Sequence, residues 1–166
     1  MRNIAEYAVA DTSFNIRDLM ASVLQTTIDI YGSAQMPLPA KQFWTMGQPA
    51  QDCEQVTVSF VQAYLGTPGD EASTPQRCST TRTAVLAVSI ARCIPIGVNG
   101  KPVSAEKMME FSEFQAIDAW LLIDNLQQYN TWGDLSQGPG VIATVDVPEP
   151  QGGMQAVNLT LTIAIP

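Results

Sequence analysis

Residues 156–165 alternate apolar and polar side chains more regularly than any other segment of the chain. Successive side chains of a β-strand point to opposite faces, so this pattern predicts a strand with one face buried and one face in water or in an interface. The apolar set is Val157, Leu159, Leu161, Ile163 and Ile165, and the polar set is Asn158, Thr160 and Thr162. A chain that carries such a strand must build a sheet and cover one side of it.

Four further strands are predicted at residues 43–46, 55–65, 83–93 and 141–147. The two long ones are joined by residues 66–81, a polar stretch rich in Gly, Pro, Ser and Thr. Connections of this length without secondary structure are usually exposed and functional. The arrangement predicts an antiparallel pair with a long exposed loop.

Two helices are predicted from apolar residues at helical spacing. The first follows a cap at Thr12 or Ser13 and ends near Tyr31, before Gly32. The second runs over residues 105–128 behind the cap Ser104, about 35 Å long. Its predicted apolar stripe is Met109, Phe114, Ile117, Leu121 and Leu122, bordered by Trp120.

The predicted order is therefore α-β-β-β-α-β-β. It indicates an α+β fold with a mostly antiparallel sheet of four to five strands and two helices packed on it. The 166 residues are predicted to form a single domain, with residues 1–12 as an N-terminal arm. No internal repeat or linker divides the chain.

Composition argues against several kinds of function. The chain has no histidine, which removes Ser-His-Asp and Cys-His catalysis and the common zinc sites. It has no phosphate-binding glycine motif. Sixteen acidic residues oppose eight basic ones, a net charge of −8, so tight nucleic-acid binding is not expected. The start has no signal-peptide pattern and no segment is apolar enough to span a membrane, which favours the cell interior or a particle assembled there. We expect no enzyme activity, no cofactor and no metal.

The cysteines Cys53, Cys78 and Cys93 are odd in number and contain no Cys-x-x-Cys pair. We expect buried free thiols, with a single bridge as the alternative. Alternation along an extended chain places Asp52 and Glu54 on the side opposite Cys53, which argues against a shared metal site.

Six residues are candidate contacts with a partner or another subunit. Asp70 and Glu71 lie in the long loop and are predicted to be solvated carboxylates. Arg92 lies on the apolar side of its strand, where an arginine needs a carboxylate or carbonyls around it. It is predicted either to keep its head in water or to pair across a subunit interface. The remaining candidates are Arg77, Arg82 and Trp132.

Two segments carry a resemblance to a known family. Residues 43–56 contain Gly-x-Pro-Ala-x-Asp-Cys before a strand, at Gly47 to Cys53, and residues 78–95 end in Arg-Cys-x-Pro at Arg92 to Pro95. Together they resemble tail terminator or neck proteins of tailed phages that infect actinobacteria. The likeness covers about 30 residues in motif detail.

The resemblance implies a structural protein of the virion, assembled in the host cytoplasm. Similar proteins form a homo-oligomeric ring, a hexamer, at the top of the tail tube. They contact the major tail or tube protein below and the head-to-tail connector proteins above, and DNA passes through the bore without specific binding. The net negative charge suits such a bore because it repels phosphates. The resemblance supplies no catalytic residues.

Other functions remain as alternatives. The chain is alternatively another virion component, such as a tail tube subunit or a head completion protein. An enzyme that uses two carboxylates requires them together in a cleft with one pKa raised. A ligand-binding module would use Trp44, Trp120 and Trp132, which are expected instead to anchor the core and the loops.

Overall fold

The computed structural model of this chain describes residues 15–70, 81–97, 101–128 and 141–165. Two helices and five strands follow one another in the predicted order, and the α+β fold is confirmed. In chain order the elements are α1 (Ile16–Ser33), β1 (Lys41–Met46), β2 (Gln55–Leu65), β3 (Arg82–Cys93), α2 (Ala105–Gln128), β4 (Val141–Asp146) and β5 (Met154–Ile165).

The five strands form one sheet in the order β1-β2-β3-β5-β4. The predicted antiparallel pairing of β2 with β3 is confirmed, and β3–β5 and β4–β5 are also antiparallel. Only β1 runs parallel to its neighbour, β2, so the sheet is mixed. Residues 47–54 carry the chain back from the end of β1 to the start of β2. A β-bulge lies between Phe60 and Gln62 of β2.

The N-cap of helix α1 lies three residues after Thr12 and two residues after Ser13. Asn15 is the N-cap, and its side-chain Oδ1 accepts a hydrogen bond of 2.9 Å from the Arg17 amide. The prediction of Thr12 or Ser13 as the cap is therefore wrong. The helix also continues past Gly32 to Ser33. Its buried residues include Leu19, Met20, Val23, Thr27 and Ile30, which recur at helical spacing.

Helix α2 has the predicted bounds, but the predicted apolar stripe is right only in part: Leu122 is buried and Leu121 packs against the core. The buried residues are Phe111, Asp118, Leu122 and Leu126, whereas Met109 and Trp120 are 64% and 66% exposed. Apolar residues are present on several sides of this helix, so helical spacing alone did not identify the inner one. Because Trp120 is exposed, the expectation that it anchors the core is wrong.

The hydrophobic core lies between the sheet and both helices. We call this side of the sheet the helix face, and it is built from alternate residues that include Val58, Val88 and Leu159, which lie side by side on adjacent strands. The opposite side, the distal face, carries Thr57, Ser89 and Asn158 in the next row. Within the described ranges, no helix is long and apolar enough to cross a membrane.

Candidate functional site

A buried ion pair joins β3 to α2. Arg92 donates through Nε to Asp118 Oδ2 at 2.6 Å and through Nη2 to Asp118 Oδ1 at 2.9 Å. The two side chains are 10% and 0% exposed. The same Nη2 also donates to the Pro37 carbonyl at 3.0 Å, and the guanidinium lies 5.4 Å from the centre of the Phe114 ring. The requirement for a carboxylate and carbonyls around Arg92 is thus met within the chain.

Tyr31 extends the ion pair to the other helix. Its hydroxyl donates to Asp118 Oδ1 at 2.8 Å, so Asp118 accepts hydrogen bonds from α1 and β3 at once. Burial raises the pKa of Tyr31 above its usual range, and the Asp118 carboxylate raises it further. The hydrogen bond to Asp118 raises the pKa of Arg92. We call Tyr31, Arg92 and Asp118 the ionic junction, and it fixes both helices against the sheet.

The ionic junction corrects both predictions for Arg92. The guanidinium is not in water, and its charge is paired inside its own chain and not across a subunit interface. No sequence pattern indicates the partner, because Asp118 is 26 residues away and helical spacing predicts an apolar stripe on the inner side of α2. Tyr31 was missed for the same reason.

Of the other candidate contacts, Asp70 and Arg82 lie in the described part of the chain, and neither takes part in the ionic junction. Asp70 closes a turn, where its Oδ2 accepts from both the amide and the hydroxyl of Thr67 at 2.8 Å. These hydrogen bonds lower the pKa of Asp70. Arg82 is exposed at the start of β3, opposite Ile165 of β5. Glu71, Arg77 and Trp132 lie outside the described residues.

A disulfide joins Cys53 to Cys93, with their Cα atoms 4.8 Å apart. The expectation of free thiols is therefore wrong for these two cysteines, and the single-bridge alternative is the one found. Cys78 lies outside the described residues. The bridge links the start of β2 to the end of β3, where the two strands lie side by side.

The segment around Cys53 does not gather metal ligands. Glu54 has a positive φ of 60°, so the alternation assumed for residues 52–54 does not hold there. Glu54 Oε1 accepts a hydrogen bond from the Cys93 amide at 3.2 Å, and Asp52 forms an ion pair with Lys41. Among the described residues, no group of three or more His, Cys, Asp or Glu is arranged to hold a metal ion.

An open cleft of about 620 Å³ lies at one end of the distal face. Its walls are the 47–54 and 148–152 connections, which contribute Asp52 and Glu149, and Asn158 lies between them. The ion pair with Lys41 lowers the pKa of Asp52. A general acid needs a raised pKa, so Asp52 does not have the environment of a general acid.

Helix α2 presents an exposed apolar surface to solvent. Met108, Met109, Ile117 and Trp120 are each more than one third exposed, and we call these four residues the α2 patch. Met108, Met109, Ser112, Glu113 and Ala116 line a shallow, mostly apolar depression of about 380 Å³. Single exposed apolar residues are ordinary, but Met109 and Trp120 lie on the same side of the helix, eleven residues apart, with Met108 and Ile117 on its two flanks. Several exposed apolar residues on one helix are typical of a surface that another protein covers.

No family model matches this chain, and no curated protein is significantly similar to it. The described residues offer elements held by a common core and exposed apolar side chains on α2.

Proposed function

We propose that this chain is a structural subunit of a tailed-phage neck. In this proposal copies of the chain close into a ring, a hexamer as in the proteins it resembles, at the top of the tail tube. The ring contacts the major tail or tube protein on one side and the head-to-tail connector on the other, and DNA passes through its bore. The protein then belongs to the virion and assembles in the host cytoplasm.

The α2 patch is the observation that carries this proposal. Trp120 and Met109 are about two thirds exposed in the isolated subunit, although both are large and apolar. Aromatic residues and methionine are enriched in protein interfaces, and charged residues are depleted at their centres. A neighbouring subunit that covers the patch removes this apolar area from water. The resemblance at Gly47 to Cys53 and at Arg92 to Pro95 supplies the kind of assembly.

The experiment is to measure the mass of the purified chain by light scattering over rising concentration and to image the particles by negative stain. Closed rings of uniform diameter are expected. Long open tubes would favour the alternative of a tail tube subunit, because a tube subunit stacks on itself along an axis. A chain that stays monomeric at every concentration, with or without added tail tubes, contradicts the proposal.

A variant tests whether the α2 patch is the surface that is covered. Trp120→Glu is expected to weaken association by about 2 kcal/mol, about thirtyfold, as at an interface hot spot. The matched control is Ile96→Gln, which changes a side chain that is 79% exposed and lies outside α2. Equal association of both variants and the unchanged chain would remove the α2 patch from the interface.

A further inference from the structure

Both outer strands of the sheet end without a further strand in the described part of the chain. β1 and β4 are the two ends of the sheet order, and each is six residues long. An edge strand presents unpaired N–H and C=O groups, which are a template for another strand. Proteins usually protect such an edge with proline, a bulge or several charges, and β1 and β4 each carry one terminal charge and no proline.

The strand directions make the two edges complementary. β1 is parallel to β2, and three successive antiparallel pairings lead from β2 through β3 and β5 to β4. β4 therefore runs opposite to β1. When the β4 edge of one copy meets the β1 edge of another in the same orientation, the two strands are antiparallel.

One register places side chains of the same sheet face opposite each other and also pairs opposite charges. When all six residues of each strand are paired, Lys41 lies opposite Asp146 at one end and Met46 lies opposite Val141 at the other. Lys41 and Asp146 both belong to the distal face, because their neighbours are Gln55 and Asn158. A slip of two residues loses the charge pair, and a slip of one residue moves every side chain to the wrong face.

Side-chain sizes also match in this register. Trp44 lies opposite Ala143 on the helix face, and Phe43 lies opposite Thr144 on the distal face. Trp44 and Met46 are 38% and 60% exposed in the isolated subunit. A large side chain opposite a small one fills the space between strands without a clash.

We propose that β1 of one subunit pairs antiparallel with β4 of the next and continues the sheet from copy to copy. This inference rests on the proposed ring and names its subunit contact. The contact uses two different surfaces, and such heterologous contacts form a ring when they close. Helix α1 packs near β1 and β2, and α2 packs on β4 and β5, so the same contact brings α2 beside the α1 of the neighbour.

Lys41 is available for this contact although it already pairs with Asp52. Its side chain is 57% exposed, and an ammonium group has three N–H donors. Asp146 is exposed at the end of β4 and provides the second acceptor.

Cysteine cross-linking tests the register directly. In a Cys78→Ser background, Phe43→Cys is combined with Thr144→Cys, because directly opposite residues in an antiparallel pair have Cα atoms about 4.5–5.5 Å apart, within reach of a disulfide. A ladder of covalent multimers up to the closed ring is expected on non-reducing gels. Gln42→Cys with Thr144→Cys is the control on opposite faces, and Phe43→Cys with Ile142→Cys is the control for a two-residue slip. Neither control is expected to form the ladder.

Exchange of the charges at Lys41 and Asp146 provides a second test. Both side chains are exposed, so the fold should tolerate the substitutions. Lys41→Glu and Asp146→Lys are each expected to weaken association about tenfold, because each places like charges opposite one another. The double variant is expected to recover most of the loss.

The outcomes separate the two proposals. Rings that cross-link only through the matched pair support the edge contact. Rings that form but cross-link through a control pair, or through none, overturn the edge contact and leave the ring itself standing. A chain that forms no oligomer overturns both.

Discussion

Removal of the Asp118 carboxylate is expected to be among the most destabilising single changes in the described chain. Asp118→Ala leaves a guanidinium that is 10% exposed without its counterion and the Tyr31 hydroxyl without its acceptor. Breaking a buried ion pair costs about 3–5 kcal/mol, and an orphaned buried hydroxyl costs about 1–3 kcal/mol. The two costs overlap, so we expect a loss of about 4 kcal/mol. Total stability is typically about 5–15 kcal/mol, so this is a large fraction.

Urea unfolding measures this loss. With a slope of about 2 kcal/mol per molar urea, the midpoint is expected to fall by about 2 M. Glu110→Ala is the control for the helix, because Glu110 is exposed and such changes usually stay within about 0.5 kcal/mol. The triple variant Arg92→Met, Asp118→Leu, Tyr31→Phe removes both buried charges and the hydroxyl together. It is expected to restore most of the stability. A loss below about 1 kcal/mol for Asp118→Ala would refute the reasoning.

Three further expectations follow from single features. Burial raises the pKa of Tyr31 in the folded state, so this tyrosine ionises first in the unfolded chain and the free energy of unfolding decreases as pH rises above 10. In Tyr31→Phe the urea midpoint should decrease less between pH 8 and pH 11 than in the unchanged chain. The Cys53–Cys93 bridge closes a loop with a sequence separation of 40, so dithiothreitol or the double Cys→Ser variant should cost about 4 kcal/mol, and the variant should be insensitive to reductant. The lowered pKa of Asp70 means that its contribution is present above its usual pKa of 3.8 and is lost as pH falls below it, so Asp70→Ala should flatten the acid side of the stability profile.

Local sequence patterns predicted the helices and strands well where the alternation of apolar residues or a capping residue was clear. Alternation located β2 and β5, and Ser104 located the start of α2, where it accepts a hydrogen bond from the Lys107 amide at 3.4 Å. These features depend on residues next to one another in sequence, which is the information that period and capping contain.

The candidate site was less predictable because its contacts are distant in sequence. The partner of Arg92 lies on another element, and no periodic pattern pairs a strand arginine with a helix aspartate. The exposure of Met109 and Trp120 could not be predicted from the sequence either. Apolar residues at helical spacing give the same pattern whether they face the core or the surface. The bridge between Cys53 and Cys93 requires the β2–β3 register, which an odd cysteine count does not supply.

Both helices lie on a single side of the sheet, and this gives the subunit unequal layers. An array of such units has an inner wall and an outer wall of different chemistry. If the distal face is turned inward, its partly exposed residues Asn158, Thr160 and Thr162 would line the channel with methyl, hydroxyl and amide groups in place of cations. A wall of that kind has few groups that could bind a passing polyanion, and the helices would lie on the outer side of the ring.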